Sequence, residues 1–230
     1  MAKQIVDRRR LLRAAGLVAG GLLLDGGPAA LGLTGAVLRP AEPAAAWAQL
    51  RAGNRRWASD AAIHPHQDLG RRAEIAEEQH PYAVVVSCID SRVTPEIVFD
   101  AGLGDLLGVR SAAQTIDPLV FAAIEYGPAE LGTPLIVVLG HQRCGAVTAA
   151  ADALDKGDTL PGGLQPIVDA LRPAYKRARG DVDKMIRLNT VGVVAELKAD
   201  KMLAKRVARG RLKIVGAYYS LDTGQVTRLV

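Results

Sequence analysis

Two cysteines and one histidine are the residues of this chain whose types and spacing could do chemistry. Cys88 begins a polar cluster at residues 88–92, and Cys144 lies three positions after His141 in a second cluster at residues 141–145. Two thiolates and one imidazole are a ligand set for zinc, and they leave the fourth tetrahedral position open for water, as in catalytic sites. The sequence therefore predicts a catalytic Zn2+ site at Cys88, His141 and Cys144.

Each residue singled out also has a plainer interpretation. Two cysteines in an exported chain most often form a disulfide, and the same pair could do thiol redox chemistry if it came within disulfide reach without a metal. Asp90 and Arg92 could form a surface ion pair of little energetic value. Gln79, a polar residue shortly before the apolar run that starts at residue 82, could cap a helix formed by the charged stretch 67–79. His141 and the Asp-Ser-Arg run at 90–92 favour the metal site over the disulfide.

The two polar clusters follow apolar runs that predict buried strands. Such runs cover residues 82–87, 106–110, 135–139 and 212–219. Helical patterns are found at 47–58, 67–79, 97–107, 118–126, after Gly145 and at 188–203. Continuous apolar runs suit parallel strands covered on both faces, so the predicted fold class is α/β, a mainly parallel β-sheet flanked by helices. A turn at 222–224 predicts a C-terminal antiparallel hairpin. Both clusters then lie beyond the carboxyl ends of strands, where ligands bind in such sheets.

The N-terminus predicts a twin-arginine export signal. Arg8 and Arg9 open a basic run, and a Gly-rich apolar stretch at 14–24 follows that is short for a bilayer span. Small residues at 43–46 or 28–30 offer cleavage sites. We therefore expect a signal peptide and linker over 1–46, a catalytic domain over 47–230, the twin-arginine translocase as a partner, and a periplasmic, secreted or cell-envelope location. A basic extension without an export role is the plainer alternative.

Composition limits the remaining function classes. The 230 residues are 49% apolar, which suffices for one core and one domain. Residues 1–46 hold six basic and three acidic groups, so they carry +3 of the net charge of +5 and leave +2. Two Trp, five Tyr and two Phe offer few stacking surfaces. A nucleic-acid partner is therefore not expected.

The two clusters together resemble the signature of the β-class carbonic anhydrases, in a bacterial form. Cys-x-Asp-Ser-Arg begins at Cys88, and His-x-x-Cys-Gly begins 53 positions later at His141. Further segments are similar to the family pattern, and these are residues 50–57, 79–81, 93–100, 102–106 and 124–127. The resemblance covers essentially the whole chain after residue 46.

This resemblance implies a reversible hydration of carbon dioxide to bicarbonate and a proton. Zinc would lower the pKa of its water from ~15.7 toward ~7, and the resulting hydroxide would attack carbon dioxide. Asp90 would accept a hydrogen bond from the hydroxide, and Arg92 would hold Asp90 ionised. In a closed state Asp90 would itself be the fourth zinc ligand. Gln79 would donate a hydrogen bond toward the substrate oxygen across the interface of a homodimer, and relatives also form tetramers.

Two other functions stay open on the sequence. The first is a zinc hydrolase that acts on a related small molecule such as carbon disulfide, which the same hydroxide could attack. The second is a non-catalytic zinc-binding protein, in which the fourth position on the metal would be saturated. The residues lining the pocket would distinguish such a hydrolase from a carbonic anhydrase. Water that exchanges on the metal would distinguish a carbonic anhydrase from a non-catalytic zinc-binding protein.

One segment departs from the family pattern. Many relatives have Arg-x-Ala-Gly-Asn after the Gly-Asp-Leu segment, whereas this chain has Arg-Ser-Ala-Ala-Gln at 110–114. If position 113 needs a positive φ, an alanine there costs on the order of 1 kcal/mol relative to glycine. Such a cost would affect catalytic efficiency rather than metal binding.

Overall fold

A computed structural model of the chain describes residues 40–230. The twin-arginine run, the apolar stretch at 14–24 and the cleavage site at 28–30 lie outside the described residues. Within residues 40–230 five strands form one sheet. In chain order they are β1 (Ala83–Cys88), β2 (Leu106–Ser111), β3 (Leu135–His141), β4 (Lys213–Tyr219) and β5 (Val226–Arg228).

The sheet has the strand order β2-β1-β3-β4-β5. The first four strands are mutually parallel, and β5 pairs antiparallel with β4 after a tight turn. The predicted fold class is confirmed, both in the mainly parallel sheet and in the C-terminal hairpin. In a sheet of this kind the carboxyl ends of β1 and β3 lie side by side, which places the residues that follow them at one edge.

Helices cover both faces of the sheet. They are α1 (Pro43–Ala58), α2 (Leu69–Glu74), α3 (Pro95–Val98), α4 (Pro118–Glu130), α5 (Gly145–Lys156), α6 (Gln165–Ala178), α7 (Val182–Ala199) and α8 (Lys201–Ala208). Val85 packs with Trp47 and Leu50 of α1 on one face, while Val84 packs with Ile124 of α4 and Leu203 of α8 on the other. Alternate residues of β1 therefore fill two separate cores, as the two-residue period of a strand requires. None of the helices described is long and apolar enough to cross a bilayer.

Five helical segments differ from their predicted bounds, and the one predicted at 118–126 continues to Glu130. Helix α1 begins at Pro43 rather than at residue 47, because proline suits the first helical position and three alanines follow it. The charged stretch 67–79 is helical only over Leu69–Glu74. Of the stretch 97–107 only the first two residues are helical, at the end of α3; turns with positive φ at Asp100 and Gly104 follow, and β2 begins at Leu106. The stretch 188–203 lies across α7 and α8, which are separated at Asp200, whose carboxylate accepts from Leu203 N–H.

Candidate metal centre

The carboxyl edge of the sheet brings the three predicted metal ligands together. Cys88 is the last residue of β1, His141 is the last residue of the neighbouring strand β3, and Cys144 is the N-cap of α5. The two Sγ atoms and a ring nitrogen lie within 4.8 Å of one another, and all three side chains are buried. We call these three residues the Cys-His-Cys cluster. The distances between the donor atoms and the donor types, two thiols and one imidazole, suit a zinc ion.

The ring of His141 is oriented for a metal. Its Nδ1 lies 3.0 Å from the backbone carbonyl oxygen of Gln142, and a carbonyl can only accept, so Nδ1 carries the proton. Nε2 therefore presents a lone pair. That nitrogen is buried, and among the described residues it has no hydrogen-bond partner. A buried polar atom without a partner is costly, and a bound metal removes the cost.

The two thiols of the cluster lie close together and are not cross-linked. Both cysteines are free, and their Sγ atoms are 3.8 Å apart. The hydrogen bond that they share lowers the pKa of Cys88 well below its ordinary value and raises that of Cys144. The pair thus releases one proton readily and retains the second until a cation takes its place.

Asp90 lies beside the cluster and is held by Arg92. Its carboxylate accepts from the backbone N–H of Arg92 at 3.0 Å, from Nε at 2.9 Å and from a terminal guanidinium nitrogen at 2.7 Å. One carboxylate oxygen is 3.9 Å from Nε2 of His141. The hydrogen bonds from Arg92 hold the pKa of Asp90 well below its usual range. The structure thus places an ionised carboxylate next to the Cys-His-Cys cluster, while the cluster itself does not include it.

Arg110 is a supporting residue to which sequence analysis assigned no role. It lies near the end of β2, beside β1, and its guanidinium donates to the backbone carbonyls of Cys88 at 3.0 Å and Asp90 at 2.7 Å. These bonds hold the chain that carries both a predicted ligand and the carboxylate. The sequence did contain a signal for this role, because Arg110 is a cationic residue at the end of a predicted strand. Where parallel strands pair, their ends lie side by side, so such a residue can reach the neighbouring strand.

The departure at residue 113 has structural consequences. Ala113 has φ 53 and the next residue, Gln114, has φ 47, so both adopt the left-handed conformation that glycine tolerates best. The backbone N–H of Ala113 donates to Sγ of Cys88 at 3.3 Å. Because position 113 does need a positive φ, its alanine is strained by about 1–2 kcal/mol. This strained turn contacts a predicted metal ligand directly, although the sequence suggested consequences for efficiency alone.

Gln79 is not part of the cluster within one chain. It is exposed in the segment before β1, at the strand's amino end, whereas Cys88 ends the strand. The six residues of β1 separate those two ends by about 17 Å. Nor does Gln79 cap a helix, because α2 already ends at Glu74. A role for Gln79 at the site therefore requires a second copy of the chain.

Comparison with known proteins points to a single family. The carbonic anhydrase family model matches residues 83–226. Carbonic anhydrase 2 of Mycobacterium tuberculosis is 44% identical over 189 residues, which are 80% of this chain and 91% of that protein. The carbonic anhydrase of Mycolicibacterium smegmatis is 42% identical over 189 residues, 80% of this chain and 92% of that protein.

Solved structures have the same architecture. A Coccomyxa β-carbonic anhydrase in complex with acetazolamide aligns with a TM-score of 0.61 at 25% identity, over 76% of this chain and 82% of that one. Two tetrameric β-carbonic anhydrases were solved from Sordaria macrospora, and the matching chain aligns with a TM-score of 0.64 at 23% identity. That alignment covers 77% of this chain and 93% of the other, and at this identity it concerns the fold.

Proposed function

Because this chain belongs to the β-class carbonic anhydrase family, with carbon dioxide hydration as its expected activity, we propose that the Cys-His-Cys cluster is its catalytic zinc site. The observation that carries the proposal is that Nε2 of His141 is buried and has no hydrogen-bond partner among residues 40–230, while a ring nitrogen of His141 lies within 4.8 Å of both thiol sulfurs. Zinc content measured together with carbon dioxide hydration tests it: hydration in proportion to bound zinc supports the proposal, and zinc binding without hydration contradicts it.

The ligand set suits a reactive rather than a structural site. Two thiolates balance the charge of a divalent ion, and the neutral imidazole of His141 completes three protein ligands. Zinc held in this way supplies Lewis acidity that makes a water molecule nucleophilic near neutral pH. The three side chains come from β1, β3 and the start of α5, so rigid elements fix their separation.

Asp90 is the residue that orients the nucleophile. Its carboxylate lies next to the cluster and carries a negative charge. It can therefore accept a hydrogen bond from a nucleophile derived from water. The three hydrogen bonds from Arg92 fix its direction. Coordination of the metal by Asp90, the closed alternative, would require the carboxylate to give up bonds to Arg92. Arg92 thus both positions Asp90 and competes with the metal for it.

Gln79 acts from the partner subunit of a homodimer. Within its own chain Gln79 is exposed at the end of β1 opposite Cys88, so only a second copy can bring it to a metal centre. The relatives solved from Sordaria macrospora are tetrameric, which agrees with assembly in this family. Its amide would donate a hydrogen bond to an oxygen of carbon dioxide or bicarbonate.

Replacing Gln79 with leucine is expected to lower kcat/KM for carbon dioxide about 10-fold at unchanged zinc content, because one hydrogen bond to a developing charge is lost. Glu78→Gln, at the exposed neighbouring position, is the control and should keep full activity. Mixed dimers give the sharper measurement. A Gln79→Leu subunit paired with a Cys144→Ser subunit receives an intact Gln79 from its partner, so kcat/KM per bound zinc should return to the wild-type value. No recovery in the mixed dimer would contradict action across the interface.

The enzyme is proposed to be exported in the folded state by the twin-arginine translocase. The support is the basic run containing Arg8 and Arg9, followed by a short apolar stretch. Export after folding would let zinc protect the two thiols before they enter an oxidising compartment. The expected location is the periplasm, the cell envelope or the medium.

Lysine at both Arg8 and Arg9 is expected to retain the full-length protein in the cytoplasm, since the twin-arginine pathway reads the arginine pair rather than its charge. Cell fractionation with an activity assay measures the outcome. Arg13→Lys, a charge-conserving change outside the pair, is the matched control and should leave export intact. Equal export of the double variant and the control would show that the N-terminus has another role.

A further inference from the structure

The turn at residues 112–114 is strained and must be held by other parts of the fold. Ala113 and Gln114 both have positive φ, and both side chains are buried. For alanine the left-handed conformation is disfavoured by about 1–2 kcal/mol, so this turn would relax if nothing opposed the change. Its conformation nevertheless matters, because it aims the backbone N–H of Ala113 at Sγ of Cys88.

Two consecutive residues of α7 hold the turn. Nδ2 of Asn189 donates to the carbonyl oxygen of Ala113 at 2.9 Å, and Nε2 of Gln114 donates to Oγ1 of Thr190 at 3.1 Å. Thr190 in turn donates to the carbonyl oxygen of Ile186 within the helix. All of these bonds are buried, where the loss of one partner is costly.

The strand that carries His141 leaves room for this contact. Gly140 precedes His141 in β3, and a Cβ placed on Gly140 would lie 2.2 Å from Oγ1 of Thr190 and 3.4 Å from Nε2 of Gln114. Any side chain at position 140 would therefore displace the network. The absence of a side chain here lets α7 approach both the strained turn and the strand that ends in a metal ligand.

We infer that Asn189 is a positioning residue for the zinc ligand Cys88, acting through the backbone of Ala113. This inference rests on the proposed function of the Cys-His-Cys cluster. Asn189 fixes the Ala113 carbonyl, the fixed carbonyl keeps the turn left-handed, and the turn keeps an N–H on the Cys88 sulfur. An amide that donates to a thiolate sulfur orients it and stabilises its charge, which prepares the ligand for the metal.

Replacing Asn189 with leucine removes the donor at nearly constant volume. Zinc affinity, measured by competition with a chromophoric chelator, is expected to fall roughly 10–100-fold, as for other outer-shell partners of metal ligands. The sulfur-to-metal charge-transfer band of the cobalt-substituted protein should shift, because the Cys88 thiolate loses a hydrogen bond. Should Asn189→Leu not fold, Asn189→Ser, whose hydroxyl is too short to reach the Ala113 carbonyl, carries the same expectation.

A matched control separates positioning from general stability. Asn54 is also a buried asparagine, and its amide bonds the backbone of Val98, Gly224 and Val226, none of which belongs to the cluster. Asn54→Leu should lower the free energy of unfolding while zinc affinity and the cobalt band stay at their wild-type values. A fall in zinc affinity as large as that of Asn189→Leu would mean that Asn189 acts only through stability.

Coupling to position 113 tests the mechanism itself. In an Ala113→Gly background the left-handed turn is no longer strained, so loss of the Asn189 contact should reduce zinc affinity less than it does beside alanine. Equal losses in the two backgrounds, or no loss in Asn189→Leu, would overturn the inference. If the wild-type protein bound no zinc, the proposed function would fail, whereas zinc binding insensitive to Asn189 overturns this inference alone.

Discussion

Cys144→Ser is expected to abolish zinc binding and carbon dioxide hydration together. The hydroxyl of serine does not ionise near neutral pH as a thiol beside a metal does, so the variant has two effective ligands of three. Cys144 is buried, with 1% of its surface exposed. The loss should exceed the roughly 10–100-fold that removal of an outer-shell partner costs.

The fold should survive this change, because oxygen for sulfur is a small change in volume. Zinc content by atomic absorption and hydration by stopped flow measure the two effects on one sample. Ser87→Ala is the matched control, since Ser87 is buried next to Cys88 and its hydroxyl has no hydrogen-bond partner in the described structure. Its zinc content and activity should stay near the wild-type values. A Cys144→Ser protein with one zinc per chain would contradict the ligand assignment.

Asp90→Asn is expected to retain zinc and lose most of the turnover. The carboxylate is outside the ligand cluster, so metal binding does not need it, whereas the neutral amide neither carries the charge nor accepts through both oxygens. Loss of a positioned acceptor lowers kcat by about 10²-fold or more. Since Arg92 lowers the pKa of Asp90, the carboxylate stays ionised down to pH values below its usual range, and its titration should not limit wild-type activity near neutral pH.

Asp222→Asn gives the matching control for a lost carboxylate. Asp222 pairs with Arg143, which lies in sequence between the proposed ligands His141 and Cys144, but the pair is exposed and contributes little. Its kcat should stay within about 3-fold of the wild-type value, which corresponds to under 1 kcal/mol. Full activity in Asp90→Asn would remove Asp90 from the mechanism. A loss of zinc in that variant would instead indicate that Asp90 is a ligand.

The position of the site could be predicted because it depends on local sequence and on one rule of sheets. Cys88 and His141 follow apolar runs that form β1 and β3, and parallel strands align their carboxyl ends. Cys144 then follows within one turn of His141 and opens α5. Asp90 and Arg92 are two residues apart, so their ion pair needs no knowledge of distant packing.

The supports of the site depend on contacts that are remote in sequence. Asn189 bonds the carbonyl of Ala113 across 76 positions, and no periodicity in either segment indicates that contact. The left-handed turn at Ala113 likewise comes from packing against α7, because alanine alone prefers negative φ. The end of α7 was missed for a local reason. The carboxylate of Asp200 caps a new helix, α8, while the apolar residues continue at helical spacing across the break.

The distance between Gln79 and the cluster shows a different limit. Family resemblance assigned Gln79 to the site, and the topology of one chain places it at the other end of β1. Both statements are true if residues from two copies of the chain form each site. Such sharing is a property of the assembly, and the sequence pattern of one chain does not indicate it.

Zinc titration of the chelator-treated protein, followed by stopped-flow hydration of carbon dioxide, tests the central claim most directly. If the Cys-His-Cys cluster is the catalytic centre, hydration should rise in proportion to added zinc and reach its plateau at one zinc per chain. A protein that takes up one zinc per chain and hydrates no carbon dioxide, at neutral or alkaline pH, would contradict the claim.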